Sequence, residues 1–155
     1  HLLCYSSQLM FSKNQIRHGR VLNPHGQPIV NAQIEIWQCD SFGQYKHPRD
    51  GGGRDQAFQG YGRTRSSNKG EYRFKTIKPV RYSGRTPHIH MRIISGGATL
   101  TTQIYVKGER RNDSDFILNS IRNAKARNSL IIPFISEIDY PSDELVARFN
   151  PVILN

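Results

Sequence analysis

The segment His88-Ile-His-Met-Arg-Ile-Ile94 leaves few ways to fold. In an extended strand side chains alternate, so His88 and His90 share one face while Ile89, Met91 and Ile93 share the other. The isoleucine and methionine face belongs in a core. The histidine face presents two imidazoles on a rigid element, a ready pair of metal ligands. Just upstream, Tyr82-Ser-Gly-Arg85-Thr-Pro87 adds a phenol and a guanidinium on an irregular segment.

Short β-rich segments of this kind recur through the first two thirds of the chain. Strands are expected at His18–Leu22, Ala32–Gln38, Gly62–Ser66, Glu71–Ile77 and Leu100–Val106, with turns at Asn23–Pro28 and Asn68–Gly70. In the second of these, Ile34 and Ile36 fall opposite Glu35 and Trp37. The polar, glycine-rich stretch from Asp40 to Gly62 is long enough to be read as a functional loop. One helix is expected over Asp115–Lys125, carrying Phe116, Ile117, Leu118 and Ile121 and capped by Ser114 or Asp113. The pattern predicts an all-β fold: a β-sandwich of mixed sheets with long loops and one short helix, as a single domain over residues 1–155.

The chain has 155 residues, enough to bury its own core. Its net charge of +10 invites a nucleic-acid reading, but the basic residues are spread from Lys13 to Arg148. The tightest cluster, Lys107, Arg110 and Arg111, includes Glu109 and precedes Asp113 and Asp115. With no recognition motif or aromatic-basic stacking pattern, a solvated basic surface is expected and no nucleic-acid partner. No apolar run approaches transmembrane length, so no membrane partner is expected. Residues 1–10 are too short and polar for an intact signal peptide, which leaves room for one already removed. Cys4 and Cys39 could form one disulfide or be buried thiols. The triplet Asn112-Asp-Ser114 fits a glycosylation acceptor but arises often by chance.

Two histidines alone are a modest signal. No carboxylate takes the second ligand place of a His-x-Asp/Glu motif, and no Cys-x-x-Cys or His-Glu-x-x-His is present. Tyrosines are the other supply: Tyr82 beside the histidine strand, and Tyr45 in Phe42-Gly-Gln-Tyr-Lys-His47 after the Trp37 strand. Any one tyrosine is more often a packing residue. A phenol normally ionises near pH ~10, but a highly charged metal binds it as phenolate at neutral pH. Two phenolates and a hydroxide would neutralise Fe(III), and two neutral imidazoles would complete five-coordination.

These segments together resemble the intradiol ring-cleavage dioxygenases, of the protocatechuate 3,4-dioxygenase and catechol 1,2-dioxygenase kind. The matching stretches are Gly19–Leu22, Ala32–Gln38, Gly43–His47, Phe58–Arg63, Gly70–Pro79, Arg85-Thr-Pro-His-Ile-His90 and Thr102–Tyr105, in family order. They cover residues 19–106; residues 107–155 match loosely. The resemblance implies a non-haem Fe(III) cofactor bound by Tyr45, Tyr82, His88 and His90, with Tyr45 and His88 equatorial and Tyr82 and His90 axial. It implies a catechol substrate bound through both hydroxyls, with O2 as co-substrate and a cis,cis-muconate-type diacid as product. Arg85 would stabilise carbanion character on the ring and orient the substrate, and Gln103 would assist. On its strand Gln103 shares a face with Thr101 and Tyr105, as pocket lining or as ordinary exposed surface. Tyr61 and Tyr72 are read as packing, and His47 as a surface or supporting residue.

Only Ser83 and Gly84 separate Tyr82 from Arg85, where the protocatechuate β chain has a longer insert, so a more open site is expected. No counterpart is found to the N-terminal helical region of catechol dioxygenases or to the extensions of protocatechuate enzymes. The expectation is a compact member, monomeric or homo-oligomeric, secreted or periplasmic, with a cytoplasmic location as the alternative. A competing reading is a non-catalytic transthyretin-like β-sandwich binding module, since the Gly19–Trp37 pattern also occurs there. That reading expects no coupling among Tyr45, Tyr82, His88 and His90.

Overall fold

Two sheets face one another across a shared apolar core. A computed structural model of the chain describes residues 14–45, 60–140 and 144–154, with residues 14–17 described by backbone alone. Most of the Asp40–Gly62 stretch, His47, Phe58 and Cys4 therefore lie outside the described residues. The strands are β1 (Asn14–Arg20), β2 (Gln33–Trp37), β3 (Tyr61–Arg65), β4 (Glu71–Ile77), β5 (His88–Ser95), β6 (Ala98–Val106), β7 (Ile131–Ile132) and β8 (Glu144–Arg148). One sheet runs in the order β4-β1-β8, the other β3-β2-β5-β6-β7. Both are mixed, because β1 pairs parallel with β8 and β6 parallel with β7. The expected all-β sandwich of mixed sheets is therefore observed.

Alternation decides which residues enter the core. Ile34, Ile89, Met91 and Ile93 are fully buried, and Ile36 and Ile104 nearly so. They pair across strands as Ile34 with Ile93, Ile36 with Met91 and Ile89 with Ile104. Tyr72, Phe74 and Ala147 join the same core from the smaller sheet. Each such large apolar side chain contributes about 1.5–3 kcal/mol by leaving water.

The opposite face of β5 carries its own register. His90 lies between Trp37 and Gln103, His88 is opposite Tyr105, and Arg92 lies between Glu35 and Thr101. Glu35, on the face opposite Ile34 and Ile36, is buried under Arg92, which donates to it from Nε at 2.8 Å.

Three expectations shift. The first strand ends at Arg20 rather than Leu22, which instead makes isolated bridges to Pro28 and Val152. Gly19 accounts for the close approach there, since a Cβ would stand 1.7 Å from the Phe149 carbonyl oxygen. Gly19→Ala is expected to destabilise the fold by roughly 1–3 kcal/mol through overpacking, read as a lower urea midpoint; an unchanged midpoint would contradict the close approach. Secondly, the single helix is replaced by a 3-10 turn (Arg110–Ser114) and two helices, α1 (Phe116–Ser120) and α2 (Ala124–Ser129). Asp115, not Ser114 or Asp113, caps α1 by accepting from Leu118 N, and Asn123 starts α2 anew by accepting from Ala126 N. Short polar side chains that bond the backbone favour such caps over a continued helix. Lastly, Tyr72 packs as read, with its hydroxyl on the Phe149 carbonyl at 2.7 Å, whereas Tyr61 is 46% exposed.

Candidate metal centre

The site grows from the end of β5, where Thr86 and Pro87 lead into His88. The buried His88 donates from Nδ1 to the Thr86 carbonyl at 2.7 Å, which leaves the Nε2 lone pair facing out. His90, two residues on, lies flat against Trp37, with centroids 5.0 Å apart and planes 4° apart. The two Nε2 atoms are 3.2 Å apart.

Tyr45 arrives from a separate turn. Asp40 Oδ1 accepts from the N–H groups of Phe42 and Gln44, both at 2.9 Å. Gly43, with φ of 75°, lets this turn lie against the Arg81 carbonyl, 2.6 Å from where a Cβ would be. Cys39, a buried free thiol, donates to the Val80 carbonyl at 3.6 Å, and Gln38 Nε2 donates to Ile77 O at 3.2 Å. The turn is thus tied to the segment that leads to Tyr82.

Tyr45 Oη stands 3.1 Å from His90 Nε2 and 3.5 Å from His88 Nε2. The Tyr82 ring meets the Tyr45 ring edge-on at 4.6 Å. Among the described residues, no hydrogen bond joins the Tyr82 hydroxyl to the other three. Ser83 and Gly84, with φ of 42° and 79°, turn the chain so that Arg85 N donates to Tyr82 O at 2.7 Å.

Arg85 is not a surface cation. Its Nε donates to Asp115 Oδ2 at 2.7 Å, and its Nη2 to Asp115 Oδ1 at 3.1 Å and Gln103 Oε1 at 2.7 Å. The Asp115 side chain is fully buried, and its Oδ2 also accepts from Thr86 N at 3.1 Å. Tyr105 Oη donates to the same Gln103 oxygen at 2.7 Å, which places Gln103 in the pocket rather than on open surface. A half-open pocket of about 210 Å³ adjoins His90, Gln103 and Tyr105 and is lined also by Thr101, Thr102, Ile117, Ser120, Ile121 and Leu130.

Burial sets the electrostatics. It lowers the His88 imidazole and, with His88 and Arg85 nearby, takes His90 down to about 4. Both rings therefore stay neutral lone-pair donors at pH 7. Burial also raises the Tyr45 phenol, with Cys39 and Tyr82 adding to it, and pushes Tyr105 to about 12. Burial alone would raise the Asp115 carboxyl; hydrogen bonds from Arg85, Leu118 N and Thr86 N outweigh it and hold it below its usual range.

The residues fit a metal ion. Donors about 2.0–2.2 Å from one ion stand roughly 2.8–3.8 Å apart at angles of 90–120°, and the three Tyr45, His88 and His90 distances fall in that span. The donor set is imidazole and phenol: among the described residues no three His, Cys, Asp or Glu side chains form a metal cluster. The binding-module reading expected no such convergence.

The structure adds Asp115 and Tyr105, which the sequence motifs do not single out, to the cluster around Arg85 and Gln103. Tyr105 was signalled by its place two residues from Gln103 on one strand face. Asp115, thirty residues from Arg85, carried no local signal beyond its fitness to cap a helix. Asn112 is buried with its amide on the Val106 carbonyl at 2.9 Å, so in the folded chain it is closed to glycosylation.

Comparison with known proteins places this geometry in context. The profile of the family described as Dioxygenase matches residues 10–154, well past the 19–106 stretch that carried the resemblance. The protocatechuate 3,4-dioxygenase beta chain of Burkholderia cepacia is 36% identical over 146 residues, covering 87% of this chain and 62% of that protein. Catechol 1,2-dioxygenase of Acinetobacter baylyi is 32% identical over 120 residues, covering 65% of this chain and 38% of that protein. The chain thus spans less than two thirds of these relatives. Among solved structures, the dioxygenase domain of a carbohydrate-binding fusion from Streptomyces sp. SirexAA-E superposes with a TM-score of 0.74 at 25% identity, covering 96% of this chain and 84% of that one. Catechol 1,2-dioxygenase of Acinetobacter radioresistens shares the fold, with a TM-score of 0.79 at 18% identity over 100% of this chain and 56% of that one.

Proposed function

The chain belongs to the intradiol dioxygenase family, and from that premise we propose that it uses Fe(III) to cleave a catechol with O2 between its two hydroxyl-bearing carbons. The observation that carries this reading is the meeting of Tyr45 Oη, His88 Nε2 and His90 Nε2 within 3.1–3.5 Å of one another. Tyr45, Tyr82, His88 and His90 would hold the ion. When bound, Fe(III) supplies the Lewis acidity that binds a diolate and opens its ring to attack by O2.

The chain's own residues do the rest. Thr86 O fixes the His88 tautomer, and Trp37 holds the His90 ring plane. Tyr45 packs against Tyr82, so the two phenols are presented together, and a phenol oxygen can take up a substrate proton. Asp115 fixes the Arg85 guanidinium through Nε and Nη2. Nη1 is left without a partner among the described residues, and is the donor that negative charge on a bound ring would meet. Gln103, held by Arg85 and Tyr105, keeps its amide N–H group for the substrate side. Both atoms of O2 would end in a cis,cis-muconate-type diacid.

The iron-loaded protein is expected to show a broad visible absorption from tyrosinate-to-iron charge transfer. Catechol added without oxygen should shift the band, and oxygen should then be consumed one molecule per catechol. A colourless protein that stays iron-free after reconstitution would sink the proposal.

A further inference from the structure

We propose that a cleft on the outer face of the smaller sheet, separate from the metal centre, binds a small polyanion carrying two or more phosphoryl or carboxylate groups. Arg20, Arg65, Arg73 and Arg148 are scattered along the sequence, and the fold gathers them around this cleft. His18 pairs with Arg73 on one side and with Arg148 on the other. The three side chains therefore share one row, on the face opposite Tyr72, Phe74 and Ala147, which enter the core. Arg20 follows two residues along β1 on the same face, and Arg65 lines the cleft from β3. Arg65 pairs with Gln33, at the end of β2 remote from Trp37 and His90.

Each guanidinium has its own anchor and keeps N–H groups without a partner among the described residues. Glu137 accepts from Arg148 Nε at 3.3 Å and Nη2 at 2.6 Å, which turns Nη1 towards His18 Nδ1 at 3.5 Å. Glu71 accepts from Arg20 Nη2 at 3.2 Å, and the Asn31 carbonyl from Arg65 Nη1 at 3.0 Å. Arg73 lies over the Tyr140 ring, 5.9 Å from its centroid. Four arginines thus face two glutamates, an excess of two positive charges. His18 registers that field: burial lowers its imidazole, Arg148 and Arg73 lower it further, and Glu137 offsets only part. Its Nε2 is buried without a hydrogen-bond partner, an arrangement that a bound ion or ordered water would satisfy.

Size and spacing select the ligand. The half-open cleft measures about 810 Å³, within the ~300–1,000 Å³ of small-molecule sites. Guanidinium forks match the paired oxygens of phosphoryl and carboxylate groups. Two strand spacings put the Cα atoms of Arg73 and Arg148 roughly 10 Å apart, and Arg20 lies about 7 Å further along β1 than His18. A single small anion cannot engage them all, whereas one molecule with several charged groups can. Glu71 lines the same cleft and opposes a long, evenly charged polymer.

The test is calorimetric titration of the iron-free full chain, where chelation of iron gives no heat, with tripolyphosphate, citrate and inorganic phosphate. Arg73→Gln and Arg65→Gln each remove one exposed cleft charge, and Arg122→Gln removes the same charge from the exposed link between α1 and α2. The wild-type chain should bind one tripolyphosphate or one citrate, about tenfold or more tightly than inorganic phosphate, because linked groups bind as one. Arg73→Gln and Arg65→Gln should each weaken this roughly tenfold, the scale of one charge-assisted hydrogen bond, and Arg122→Gln should stay within about twofold. Followed by NMR, the His18 imidazole should titrate higher with ligand bound, since the anion offsets Arg148 and Arg73. The tighter of the two polyanions identifies the recognised group as phosphoryl or carboxylate. Equal weakening by Arg122→Gln would mean attraction to net charge alone and overturns the proposal. No saturable binding, or an unmoved His18, overturns it as well. So does binding of a single-stranded oligonucleotide by a chain that takes neither small polyanion.

Discussion

Tyr45→Phe and His88→Ala are each expected to yield a folded protein that no longer holds iron, lacks the visible charge-transfer band and has no measurable ring cleavage. Tyr45→Phe is the cleaner change. It keeps the ring that packs edge-on against Tyr82 and removes only the oxygen lying 3.1 Å from His90 and 3.5 Å from His88. Loss of a group that merely supports a metal ligand lowers metal affinity 10–100-fold, so loss of a direct donor should exceed about a hundredfold. His88→Ala removes a donor and empties a nearly fully buried site, so its melting temperature should fall as well. Iron content by metal analysis, the visible spectrum and oxygen uptake, measured on the same preparations, separate the effects. Iron retained at wild-type stoichiometry with full activity in Tyr45→Phe would remove Tyr45 from the ligand set.

The faces of the strands were legible because alternation is local. Ile89, Met91 and Ile93 could go nowhere but inward, and His88 and His90 nowhere but to the other side. Arg85 and Gln103 were legible only through the family resemblance, since a lone arginine and a lone glutamine carry no pattern. What joins them depends on contacts between segments remote in the chain. Tyr45 reaches the histidines because Gly43 fits against Arg81 and Gln38 bonds the end of β4. Neither contact has a periodic signature. The segment after residue 106, which resembled the family only loosely, supplies β7, β8 and the carboxylate that anchors Arg85. The expected single helix gave way because Asp115 and Asn123 each bond a backbone N–H three residues on. A propensity reading sees the apolar residues between them and misses the caps.

Arg85→Met should lower the stability of the iron-free protein by roughly 3–5 kcal/mol at neutral pH, the range for breaking a buried ion pair from one side. The Arg85 side chain is 12% exposed and that of Asp115 fully buried, so the substitution strands a carboxylate that solvent cannot reach. Its pH dependence identifies the cause. In the wild-type protein the Asp115 carboxyl titrates below its usual value. It therefore contributes stability that is fully present above pH ~4 and lost as pH falls through its folded value. Without Arg85, burial becomes the dominant influence and raises the carboxyl, with the N–H groups of Thr86 and Leu118 offsetting part of the rise. A raised carboxyl acts in the opposite sense, destabilising the fold as pH climbs above the unfolded value. The gap between wild type and Arg85→Met should hence be widest near pH 7 and shrink towards pH 4, as urea denaturation at the two pH values would measure. Adding Asp115→Asn to Arg85→Met removes the stranded charge and should recover part of the loss at pH 7. A gap that is the same at both pH values, or a double variant no more stable than Arg85→Met, would mean that lost packing, not the unpaired carboxylate, is responsible.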